Sequence, residues 1–198
     1  MASTASPMGA RPVGSLVSAA YNAKITHYKI NNAYGTDIFY GDFVKWADNN
    51  PNTTIQKDTG TTSMTPIGVF LGCSYTDPNT SQKTFRQSWP ASTVASDAMA
   101  YIVDDPDCLF QVQADGAVTQ AALGQNTHLA AVQSTNTGST TTGNSTSAVT
   151  ATTATTSGFA FRIVDFVDGP LSTVGDAFTD LIVKFNPDSH SYTNKTGI

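Results

Sequence analysis

The sequence predicts an all-β protein, and three observations carry that reading. All fifteen acidic residues are Asp, and there is no Glu anywhere in the 198 residues. Glu favours helices, whereas Asp prefers caps and turns. Thr, Val, Phe and Tyr are plentiful and suit strands. Fifteen Gly and nine Pro punctuate the chain often, as many short strands require.

The elements follow in order. Residues 1–14 read as an extended, polar N-terminal arm, because Pro7 and Pro12 disfavour helix before them. Such an arm either lies on a neighbouring molecule or frays. The remainder, 15–198, reads as one β domain. In YNAKITHYKI (21–30), Tyr21, Ala23, Ile25, His27 and Lys29 fall on one side of a strand, and Tyr28 and Ile30 on the other. IFYGDFVKW (38–46) holds two short apolar runs around Gly41-Asp42. The polar stretch 47–63 contains one short strand at Ile55. PIGVFLGCSY (66–75) is a strongly apolar strand whose glycines fit a bulge or a close backbone approach. Thr84–Trp89 is a further strand ended by Pro90. ASTVASDAM (91–99) is the best candidate helix, and a short one.

Ala100–Val103 and Leu109–Gln113 are two strands around the acidic run Asp104, Asp105, Pro106, Asp107. Three Asp in four residues invite a Ca²⁺ reading, but an EF-hand loop alternates its acids and ends on Glu. Asp and Pro are also the preferred residues of plain turns, so a structural corner is expected here. From Gly116 to Phe161 there is no charged residue, and 16 of the 24 residues in 134–157 are Ser or Thr. That stretch is low in complexity and reads as a loop followed by a Thr-rich edge strand. GFAFRIVDFV and DLIVKF supply the last strands. Eight to ten strands in one barrel-like or sandwich-like domain result.

Several function classes are disfavoured. The net charge is −5 and the ten Lys and Arg are scattered, which argues against a nucleic-acid partner. No run of about 18 apolar residues suggests a membrane span, and MASTASPMGARPVG has no apolar h-region of a secretory signal. His27, His128 and His190 lie in unlike contexts, without metal-ligand spacing, and no nucleophile elbow, Walker loop or dinucleotide fingerprint occurs. No enzyme, cofactor or metal is therefore expected. Cys73 and Cys108, each beside strand-like residues, read as buried core thiols.

An ordered series of segments carries a resemblance: G-x-R-P-V at Gly9–Val13, Y-N-x-K at Tyr21–Lys24, G-D-x-V-K at Gly41–Lys45, and P-I-G-V-x-x-G at Pro66–Gly72. DDPD-x-x-F-x-V-Q follows at 104–113, then FRIVDFV and LIVKFNPDSHSY near the end. The chain resembles the capsid decoration (cement) proteins of tailed bacteriophages, small structural proteins usually encoded near the major capsid protein. The resemblance implies a jelly-roll-like fold and a place on the outer surface of the virion, after synthesis in the bacterial cytoplasm. It also implies two partners: the major capsid protein, and the chain itself as a dimer or trimer on a local symmetry axis. Arg11, Pro12 and Val13 of the arm are then candidates to contact the shell, with β-augmentation as one mode. Tyr34, Phe85 and Trp89 are candidate aromatic anchors, and Phe85 and Trp89 read equally as core rings. A head-fibre or tail, receptor-binding component of the virion is the alternative.

Overall fold

A computed structural model describes residues 3–17, 24–47 and 54–194. Eleven strands run in chain order: β1 (Arg11–Ser15), β2 (Ile25–Ile30), β3 (Phe43–Trp46), β4 (Thr54–Lys57), β5 (Gly68–Thr76), β6 (Lys83–Arg86), β7 (Met99–Val103), β8 (Cys108–Gln113), β9 (Asn126–Thr127), β10 (Phe161–Phe166) and β11 (Asp180–Phe185). The all-β expectation holds, and among the described residues the only helical piece is a 3-10 turn at Gln120–Ala122. No helix among the described residues is long and apolar enough to cross a membrane.

Two sheets form. In the first, β3, β4, β2, β7 and β5 follow one another and β5 pairs back to β3, which closes a five-stranded barrel. Only the β2–β4 pair is parallel, and β6 extends the sheet from β5. The second sheet is antiparallel throughout, in the order β1-β8-β11-β10-β9. Closure and layering both remove apolar faces from water, as the period-2 patterns demand.

Each sheet has its own core. Ile30, Val44, Ile55, Phe70, Ala100 and Ile102 fill the barrel, with Ile38, Tyr75 and Trp89 packed into the same cluster. Phe110, Val112, Phe161, Ile163, Leu181, Val183 and Phe185 line the second sheet and pack on Phe43, Val69 and Val103 from the barrel's outer wall. Phe43 alternates with Val44, so one strand feeds both cores. Its ring lies 4.7 Å from Phe161 and 6.0 Å from Phe185. Removing rings of this kind costs roughly 3–5 kcal/mol each. Cys73 and Cys108 are both free and buried, one in each core, as core thiols should be. Burial pushes the Cys73 thiol up to about 12, which makes it inert.

The glycines of β5 do what the sequence suggested. Gly72 sits at a register shift with φ +146°, a bulge, and a Cβ at Gly68 would lie 2.1 Å from the Val103 carbonyl. By contrast, 91–99 forms turns and no helix. The backbone N–H groups of Ala91, Ser92 and Thr93 go to Asp37, Tyr34 and Pro90, and these partners outweigh a weak local propensity.

The Ser/Thr-rich stretch is neither a free loop nor a regular strand. It is threaded along both sheets through isolated bridges: Asn144 with Tyr40, Val149 with Ala114 and Leu129, Ala154 with Asn126. Gly143, Ser145, Ser147 and Val149 are buried and alternate with more exposed residues. Its start is fastened by a buried ion pair. The Lys57 ammonium lies 2.8 Å from Asp42 Oδ2, and both side chains are 0% exposed. The same ammonium donates to the Ser134 carbonyl at 2.7 Å and to the Thr137 hydroxyl, and stands 4.9 Å above the Phe39 ring. Asp42 Oδ2 also accepts the Phe39 N–H. Burial pulls Lys57 down and pushes Asp42 up, and their mutual contact opposes both shifts. Gly138 lies flat on the other reach of Phe39, where a Cβ would come within 2.0 Å of the ring. Gln133 closes the arrangement: its amide accepts from the Phe43 N–H and donates to the Phe43 and Asp58 carbonyls.

Lys57→Met, which leaves Asp42 buried without a counter-charge, is expected to cost about 3–5 kcal/mol in urea unfolding, and the double variant Lys57→Met, Asp42→Leu considerably less. Amide exchange over 134–147 should accelerate in the single variant. Gly138→Ala should destabilise by about 1–3 kcal/mol in the same assay.

Candidate functional site

The arm is extended, but it lies on its own domain. β1 pairs with β8: Arg11 opposite Gln111, Pro12 opposite Phe110. Upstream, the Ser3 hydroxyl accepts the Phe178 N–H, and Gln113 holds both the Ser6 N–H and the Thr4 carbonyl. This corrects the picture of an arm that frays or reaches a neighbour, because β8 had a free edge and the arm fills it. Val13 is the extra residue of a bulge between Pro12 and Gly14, and is 44% exposed. A bulge and a proline both blunt an outer edge, so β-augmentation through Arg11, Pro12 and Val13 is disfavoured. Their side chains stay accessible, and Leu16 and Val17 extend the exposed apolar run.

The three aromatic candidates separate. Trp89 is 0% exposed in the barrel core, with its indole N–H donating to the Tyr34 carbonyl, so it is no surface anchor. Tyr34 is half-buried, and its hydroxyl accepts the Lys57 N–H. Both are pinned by the polypeptide around them: Trp89 exchanges backbone hydrogen bonds with Ile38. Phe85 alone is open, at 71% exposure.

Phe85 belongs to a row that the sequence did not reveal. On the outer wall of the barrel Lys29 stands opposite Met99, Met99 opposite Ser74, and Ser74 opposite Phe85. His27 stands opposite Tyr101, ring centroids 4.7 Å apart and edge to face. Ile25, at 50% exposure, begins the same side of β2. The alternation of 21–30 placed Ile25, His27 and Lys29 together, but only strand pairing could set them beside Met99, Tyr101 and Phe85. At the end of the row the Asp97 carboxylate, two residues before β7, is held by Lys83 at 2.8 Å and by Thr76.

The acidic run is a corner, and it joins the two sheets. The Asp105 carbonyl accepts the Cys108 N–H and Pro106 takes the second position, which makes a β-turn. Asp105 also accepts the Asp107 N–H at 2.9 Å, and the Asp107 carbonyl accepts the Leu16 N–H. Asp104 serves differently from a turn former. Its buried carboxylate accepts the Tyr28 phenol at 2.7 Å and lies 3.6 Å from Lys24. Tyr28 in turn bonds Tyr192 of the C-terminal tail. Burial, then these two bonds, push the Tyr28 phenol above its ordinary value. Among the described residues no group of three or more His, Cys or Asp is placed to hold a metal ion.

No family model matches the chain, and no curated protein and no solved structure is similar to it.

The tail supplies a pH-sensitive contact. His190 is fully buried between Phe185 and Tyr192, its Nδ1 accepts the Tyr192 N–H, and its Nε2 faces the Ile67 backbone without a hydrogen bond of ordinary geometry. Burial pulls it from 6.5 down to about 4, against the attraction of Asp104, Asp105 and Asp107. The unfolded chain therefore takes up the proton first. The contribution is complete above the unfolded value and is lost as pH falls from 6.5 toward 4. Urea midpoints across that window should reveal a loss of roughly 3 kcal/mol, and His190→Gln should flatten that part of the profile.

Proposed function

We propose that the protein is a virion structural component that binds the outer surface of a bacteriophage capsid and stabilises the expanded shell by bridging neighbouring major capsid subunits. The observation that carries the reading is the open row on the barrel wall. His27, Lys29, Met99, Tyr101 and Phe85 form a row whose flanking carboxylate, Asp97, is already held by Lys83, on a protein of net charge −5. Aromatic and Met side chains with a peripheral cation are the composition of an interface core. The sequence resemblance supports the same reading, and a stiff, doubly layered β body suits a bridge.

Physically, such a bridge works by repetition. Many modest contacts, multiplied by the symmetry of a shell or of a small homo-oligomer, give avidity that one contact lacks. A footprint that spans two subunits fits only one arrangement of them, so binding draws the shell toward that arrangement. The remaining acidic surface faces solvent and limits non-specific association.

Electron cryomicroscopy of the intact virion tests the reading. Density for this chain at many equivalent positions outside the shell, with the Phe85 face inward, is the expected result. A few copies confined to the tail or the portal vertex would overturn it in favour of the head-fibre or receptor-binding role. Phe85→Ser should weaken binding to expanded shells roughly thirtyfold, the loss of one hot spot, while the melting temperature stays unchanged because the ring is exposed.

A further inference from the structure

Strand β6 is built inside out. Phe85 points to solvent, whereas Arg86 stands opposite Cys73 and Thr84 opposite Tyr75, both of which face the barrel core. Residues directly opposite on paired strands share a face. A guanidinium therefore leaves β6 on the side where an apolar group belongs, and a local pattern broken in this way marks a site with work other than folding.

What Arg86 enters is a surface cleft of about 480 Å³, lined by Tyr75, Asp77, Pro78, Asn79, Arg86 and 90–94. That is an ordinary size for a small-molecule site. Its walls are fixed before any ligand arrives. The Ala91 N–H donates to Asp37 at 2.7 Å, the Ser92 N–H to the Tyr34 carbonyl at 2.7 Å, and the Thr93 hydroxyl to the Pro90 carbonyl at 2.8 Å. Ser92 is held at φ 60°, a left-handed conformation uncommon outside glycine. On the opposite wall Asp77 turns its carboxylate onto the Asn79 N–H at 2.8 Å. Arg86 makes one long bond, Nη1 to the Tyr75 hydroxyl at 3.3 Å, and has no ion pair among the described residues. Four of its five N–H donors are thus uncommitted by that bond, in the planar fork that matches a carboxylate.

We propose that this cleft binds a carboxylate carried on a hydroxylated body, of the uronic acid class. Arg86 takes the carboxylate in a two-pronged contact. The Tyr75 hydroxyl, the Asn79 amide and the Ser92 and Thr93 hydroxyls take sugar hydroxyls, and Pro78, Pro90 and Val94 pack on the ring's apolar edges. The site is independent of the shell-contact face, because Phe85 and Arg86 leave β6 on opposite sides.

Titration of the full chain with galacturonate, galactose and acetate, followed by backbone amide NMR, tests the assignment. Galacturonate should produce saturable shifts at 75–79, 86 and 90–94, with acetate weaker and galactose weaker still. Arg86→Gln should lose about tenfold or more in affinity, the worth of a charged hydrogen bond, with the melting temperature preserved. Val94→Asp, on the 60% exposed rim, adds a second carboxylate to the one Asp77 already contributes to the wall and should weaken binding further without disturbing the core. The proposal is overturned if galacturonate gives no saturable shifts, if galactose or acetate matches it, or if both variants bind as the parent does.

Discussion

The Lys57–Asp42 pair is the constraint on which the rest of the structure depends. Two opposite charges without water are costly, and they persist only where every donor and acceptor around them is placed. Here the ammonium reaches a carboxylate, a carbonyl, a hydroxyl and a ring face, drawn from two separate parts of the chain, 39–42 and 134–137. The pair fixes the turn before β3 to the end of β4, and fixes both to the start of a segment with no charged residue of its own. A stretch of Ser and Thr has little apolar area with which to order itself. It is ordered here because a buried cation needs its carbonyl.

From that anchor the segment runs between the two cores and gives each a lid. Tyr40, in the barrel, and Ala114, at the end of β8, both bridge to it, so the barrel and the second sheet share an edge that neither closes alone. The Asp104–Asp107 corner does the same job by covalent means, since β7 belongs to one sheet and β8 to the other. The Tyr28–Asp104 bond then draws the tail across that corner.

Much of the fold was legible in the sequence because period-2 patterning is a local signal. β2, β10 and β11 lie within the stretches marked for them, β5 and β8 overrun theirs by one residue each, and the isolated Ile55 did announce β4. What stayed hidden depends on distant partners. The arm looked unattached because nothing local says that β8 lacks a neighbour. The burial of Trp89 was hidden because it comes from Ile38 and Tyr34, far away in the chain. The division of labour within the acidic corner was hidden for the same reason: Asp104 is claimed by a phenol on β2, and Asp105 holds the turn. The candidate face was half legible, since the alternation of β2 supplied one column of it and pairing supplied the rest.

The order in which the strands pair has a consequence for how the protein is made. Arg11 pairs with Gln111, so a strand made before the barrel strands belongs beside one that appears only after they have been synthesised. The barrel strands are contiguous in the chain, whereas the second sheet joins β1 to strands from the later part of the chain. Long-range pairing of that kind is slow, because the chain entropy is lost before the contact forms. A nascent chain thus carries β1 unpaired past the barrel strands, and a proline such as Pro12 blunts the edge of a waiting strand.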